Sequence, residues 1–236
     1  MKNTASFRRT AAAVGLATTA VLSAVSVTLQ PEFPADYMDR LAAIDASGLK
    51  GQISAVTFLV AQLPFIAAIL GIAHLLRDRA PILSNLGATF GVMGAFGHAV
   101  FGGMSLVYMT MATDQTNRDA YATLWERLES SPVMLFSAIG LLGTVLGILL
   151  LSIAIWRSRV APRWVPLVLW IFLVVEFVGT SLSEYASLLS GVLFVIAFGQ
   201  LAVVVLRSPL AIWSMNTTIP AFEAESAPQR RFGQSH

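Results

Sequence analysis

Six long apolar stretches, joined by connections that are basic on one side and acid-rich on the other, constrain this chain more than any motif in it. Each reaches the ~20 residues that a helix needs to cross ~30 Å of hydrocarbon. In hydrocarbon every backbone N–H and C=O must be satisfied within the segment, which helices achieve and open strands do not. The spans read as Ala11–Leu29, Ile53–Leu76, Ile82–Met111, Pro132–Trp156, Trp164–Ser183 and Ala186–Leu206. The expected fold class is therefore all-α, a polytopic membrane helix bundle of six transmembrane helices. Residues 1–10 precede it, the membrane domain covers 11–206, and 207–236 follow as a largely disordered tail marked by Pro209, Pro220 and Pro228.

Charge orients the bundle. Lys2, Arg8, Arg9, Arg77, Arg79, Arg157, Arg159, Arg163, Arg207, Arg230 and Arg231 fall on one face, whereas only Arg40, Lys50, Arg118 and Arg127 fall on the other. Cytoplasmic loops are enriched in lysine and arginine, so both termini are expected in the cytoplasm of a multi-pass plasma-membrane protein. Trp156 and Trp164 flank the basic turn 157–163 as interface anchors, which argues against a nucleic-acid site built on those arginines. With 12% charged residues the chain carries about half the usual share of a soluble domain. It has no cysteine, hence no disulfide, thiolate metal site or cysteine nucleophile. The first span also resembles a secretory signal ending at Ala24-Val25-Ser26, but its apolar run is long for a signal core, and it is read as retained.

Two outer connections carry helical patterns of their own. Thr116 and Asp119 have capping-box-like spacing ahead of a stripe of Ala120, Tyr121, Leu124, Trp125 and Leu128. Pro34–Ile44 repeats the theme with Tyr37, Leu41 and Ile44. Adsorption to the headgroup region is the favoured expectation for both, with a lid over an outward-facing cavity as the functional alternative.

Glu176, inside Val174-Val175-Glu176-Phe177-Val178, is the sharpest anomaly, because a carboxyl within a span is costly and must face other helices or water. His98 shares a face of span three with Gly87, Gly91, Gly94 and Gly102, a smooth surface on which another helix can approach closely. At 1.5 Å per residue, His98 lies ~24 Å beyond Ile82 and Glu176 ~18 Å beyond Trp164, about one turn apart in depth. A packing role for each residue competes with a shared protonatable site. His74 sits near the basic face beside Arg77, Asp78 and Arg79, too far in depth from His98 for a bis-histidine haem, and His236 lies in the tail. Pro64 is expected to kink span two, with Gln62, Asn85 and Gln200 repairing backbone or bridging helices.

No zinc-hydrolase helix, phosphate loop or nucleophile elbow occurs, so no catalytic residue, cofactor or metal is expected. The leading functional expectation is small-molecule transport or sensing through an intramembrane polar site of Glu176 and His98. The alternative is a noncatalytic accessory subunit that binds another membrane protein through its glycine-lined helices and outer amphipathic segments. Beyond the lipid bilayer and that membrane-protein partner the sequence names none; it leaves the small molecule open. The six-span order, the long first outer connection and the turn Ile155-Trp156-Arg157-Ser158-Arg159-Val160-Ala161-Pro162-Arg163-Trp164 resemble a group of bacterial integral membrane proteins of unknown function. The resemblance implies a bacterial inner-membrane protein and supplies no active residues.

Overall fold

A computed structural model describes residues 2–183 and 185–214. Among them the chain is all-α: α1 Lys2–Leu29, α2 Tyr37–Leu76, α3 Pro81–Thr113, α4 Arg118–Glu129, α5 Met134–Ser158, α6 Trp164–Phe177, α7 Tyr185–Arg207 and α8 Leu210–Trp213. Five of these, α1, α2, α3, α5 and α7, are long and apolar enough to cross a membrane. The fifth expected span, Trp164–Ser183, is shorter as a helix than its hydropathy implies. Its α-helix stops at Phe177 after 14 residues, about 21 Å of rise, and a 3-10 turn over Gly179–Ser181 follows.

Local chemistry sets several boundaries. Asp36 caps α2 by accepting hydrogen bonds from the backbone N–H groups of Met38 and Asp39 at 2.8 and 3.1 Å. Pro81 opens α3 at the first helical position, where its missing N–H costs nothing. Arg159 ends α5 in the left-handed region, φ 53°, as the one non-glycine residue with positive φ among those described.

The backbone keeps helical torsions at Pro64 and leaves them at Gly48, φ 51° and ψ −128°. Only glycine adopts that conformation without strain. Gln62 donates to the Phe58 carbonyl at 2.8 Å, two residues before the Val60 carbonyl that Pro64 leaves without its donor. The bend lets residues 37–47 fold over the bundle end instead of continuing along the span.

Packing is tightest between α3 and α5. A methyl group added at Gly94 would lie 2.4 Å from the Thr144 nitrogen, one at Gly97 2.3 Å from the Gly140 nitrogen, and one at Gly143 2.5 Å from the Gly94 nitrogen. Backbone therefore touches backbone, the arrangement small residues make possible when lipid is as apolar as leucine and association depends on contact rather than water exclusion. The glycine face of α3 is thus used inside the chain, and its counterpart is Gly140, Gly143 and Gly147 of α5. Helix α1 is bound to α2 by reciprocal bonds, Ser26 Oγ to the Ser54 carbonyl at 3.0 Å and Ser54 Oγ to the Ser26 carbonyl at 2.8 Å, both buried.

A second, smaller core closes one end. Leu41, Ile44, Tyr108, Met111, Ala122 and Trp125 pack together, with the Tyr108 and Trp125 rings stacked 3.9 Å apart. Glu129 holds this cap. It accepts from Arg40 Nη1 at 2.8 Å, Tyr37 Oη at 2.8 Å and Trp125 Nε1 at 3.1 Å. Arg118 adds an ion pair to Asp45 at 2.9 Å. The two amphipathic segments thus fold on each other and on the end of α3, joined by buried aromatic surface and a shared carboxylate.

At the α3–α4 turn, the cap is Asp114, not Thr116 as the spacing had implied. It accepts from the Thr116 backbone at 3.1 Å, the Asn117 amide at 2.9 Å and the Tyr121 hydroxyl at 3.2 Å. The Asn117 amide first, then Tyr121 and backbone N–H groups, hold the Asp114 carboxyl below its ordinary value of 3.8, while accepting the Tyr121 proton pushes that phenol up. A lowered folded value adds stability that is complete above 3.8 and lost as pH falls through the lower folded value. We expect amide exchange in this turn to be flat from neutrality to the ordinary aspartate range and to accelerate only in stronger acid. Acceleration already near neutrality would show that another group governs the turn.

At the opposite end the start of the expected tail is ordered. Trp213 of α8 is 2% exposed, packs 4.9 Å from the His74 ring and donates to Ser208 Oγ at 2.7 Å. Arg9 reaches the Ser208 carbonyl at 3.1 Å. Residues 215–236, including His236, lie outside the described residues.

Candidate functional site

Helices α1, α2, α3, α5, α6 and α7 all contribute to one cavity of about 110 Å³, and both Glu176 and His98 line it. The cavity brings the two residues together, but their side chains make no hydrogen bond to each other. Each has its own partners.

Glu176 lies in the last turn of α6, nearer the helix end than a span reaching Ser183 would place it. Its carboxylate oxygen Oε2 accepts from the Ser190 hydroxyl of α7, a short bond between neighbouring helices, and its backbone carbonyl accepts from Thr180 Oγ1 at 2.6 Å. Ser190 is 1% exposed. Since α6 and α7 are joined by only a few residues, the turn fixes which face of α7 meets the carboxylate.

His98 comes from α3 and is half-buried. Its Nδ1 is 3.4 Å from Thr144 Oγ1, and its ring lies 5.5 Å from that of Phe58. Gly140 makes its space: a methyl group there would come within 2.6 Å of the imidazole carbon Cδ2. The glycine contacts between α3 and α5 thus position His98 and Thr144 as well as joining the helices.

Thr19 of α1 completes the polar lining in an unusual state. It is 2% exposed, and its hydroxyl has no hydrogen-bond partner among the described residues. A buried hydroxyl left unpaired costs about 1–3 kcal/mol, and a threonine in a helix ordinarily satisfies itself on the carbonyl one turn back. Gln62, 8% exposed, adds an amide to the same lining.

A second chamber of about 330 Å³ lies under the cap, lined among others by Arg40, Trp125, Glu129 and Phe58. Phe58 lines both spaces. Its ring thus stands between the space under the cap and the one at Glu176.

The remaining polar candidates lie apart from the cavity. His74 contacts Arg77 and bonds the Ile212 carbonyl at 2.9 Å, consistent with its expected place at the basic end. Gln200 lines a groove there with Arg79, Arg159 and Arg207, and Asn85 is exposed.

Sequence reasoning missed Thr19, Thr144 and Ser190. Hydroxyls are common in apolar helices, and only the placement of neighbouring helices distinguishes one that bonds its own backbone from one that faces a cavity. Comparison of the chain with protein-family models, with curated proteins and with solved structures finds no match.

Proposed function

We propose that this is a bacterial plasma-membrane protein that moves or senses a small molecule through the cavity at Glu176 and His98. Six helices enter the bilayer, the short α6 among them, with both termini cytoplasmic as the basic turns favour. The observation that carries the reading is convergence: every one of those helices contributes to a single cavity that holds a carboxyl, an imidazole and an unpartnered hydroxyl. Polar groups of this density are costly inside a bundle unless something uses them. The Phe58-separated chamber supplies an approach from the capped face.

The accessory-subunit alternative would use small-residue faces or the outer amphipathic segments; Gly94, Gly97, Gly140, Gly143 and Gly147 pack within the α3–α5 pair, which favours the cavity reading over it.

The absence of native cysteine allows a direct test. In intact cells, Ser190→Cys is expected to react with a small membrane-impermeant methanethiosulfonate added outside, whereas Leu188→Cys, on an exposed apolar position of α7, is expected to stay inert in lipid. An unreactive Ser190→Cys alongside a reactive cysteine in the cap would remove the basis for the proposal, and labelling only from the cytoplasmic side would reverse the orientation.

A further inference from the structure

Resting on the small-molecule reading above, we infer that the cavity's ligand is a small organic ammonium ion, held by the Glu176 carboxylate among phenylalanine rings. Charge is the first reason. No lysine or arginine lines the cavity, and the ion pairs among the described residues, Arg40–Glu129, Arg77–Asp78 and Arg118–Asp45, all lie elsewhere. Ser190 bonds Oε2 of Glu176, while no described residue bonds Oε1. His98, the one other titratable group on the lining, makes its polar contact with Thr144 and none with Glu176. An ionised carboxylate at such a place calls for an opposite charge that the described residues do not supply, because desolvation otherwise exceeds any gain.

The walls give the second reason. Phe58, Phe65, Phe172, Phe177 and Phe194 line the space, and Phe172 and Phe194 sit 4.9 Å apart. Aromatic faces carry negative potential, attracting cations and repelling anions. An acid or phosphate is therefore disfavoured twice, by Glu176 and by the rings.

Size and hydrogen bonding narrow the class further. An apolar protein cavity of about 150 Å³ holds benzene; the 110 Å³ here suits about four non-hydrogen atoms. An ammonium with N–H groups donates to more than one acceptor at once, and the lining offers the open oxygen of Glu176 and the Thr19 hydroxyl, buried and unpartnered. Among the described residues Thr19 Oγ1 has no partner of its own.

Three probes of similar bulk separate charge from shape: isopropylammonium, isopropanol and acetate. Titrated calorimetrically into the purified full chain in mild detergent, isopropylammonium is expected to bind roughly tenfold or more tightly than either of the others. Glu176→Gln is expected to erase that preference, and Glu176→Asp to keep it at reduced affinity. Equal binding of isopropanol and isopropylammonium would overturn the ammonium assignment and leave a neutral small-molecule site. Binding of none of the three, while Ser190→Cys still labels, would overturn the ligand class without touching the cavity reading; failure of that labelling would instead sink the reading on which the assignment rests. Should Glu176→Gln fail to fold, the three-probe comparison on the unaltered chain decides alone.

Discussion

Gly143→Leu is expected to prevent assembly of the α3–α5 pair. The first side-chain carbon alone would sit 2.5 Å from the Gly94 nitrogen and 2.7 Å from the Phe90 carbonyl oxygen, and neither is the movable end of a side chain. The helices must separate, and the neighbouring contacts at Gly97–Gly140 and Gly91–Gly147 separate with them. Overpacking of this kind costs about 1–3 kcal/mol or more even where side chains can adjust. Against that, replacing a helical glycine contributes at most ~1 kcal/mol of improved helix propensity. The control is Gly103→Ala, also in α3 but with nothing within 4 Å of the added carbon, where the propensity gain stands unopposed. In mild detergent, Gly143→Leu is expected to lower the melting temperature sharply or to leave only aggregate, with Gly103→Ala equal to or slightly above the native chain. If the two variants melted together, close backbone contact would not be what joins these helices.

Trp125→Ala produces the other large effect, in a different place and by a different force. Trp125 is 4% exposed, stacks on Tyr108 and donates to Glu129. Trp125 fills the core of the cap, and truncating a buried tryptophan costs about 3–5 kcal/mol. The loss includes the bond that helps Glu129 hold Arg40. Because the cap has its own core, separate from the main one, the damage is expected to stay local. Amide exchange in α4 and in residues 37–47 should quicken strongly while the α3–α5 contact region is unchanged. Uniform acceleration through the bundle would mean that cap and bundle fold as one unit.

The sequence made some of this legible and hid the rest for identifiable reasons. Apolar runs gave the helices directly, because hydrocarbon permits little else, and the anomalous carboxyl at Glu176 and imidazole at His98 stood out against that background. Their common cavity was not legible: depth along a helix can be counted, but which helices adjoin depends on packing that residue spacing does not encode. The break at Gly48 was missed because a proline is a louder signal than a glycine, yet at Pro64 the helix tolerated the missing bond. Glu129 looked like one more acid on a polar face, since nothing local shows that Tyr37 and Arg40, some ninety residues earlier, share it. The stop at Phe177 was likewise masked, because Val178 keeps the hydropathy high after the backbone has left the α-helix.

That early stop has a mechanical consequence. In a bilayer, a rod of about 21 Å beside neighbours long enough to span it creates hydrophobic mismatch along one flank. Acyl chains there must tilt or compress, bringing headgroups and water down toward the last turn of α6, where Glu176 sits. The thickness of the surrounding lipid thereby becomes a variable that acts on the carboxylate itself.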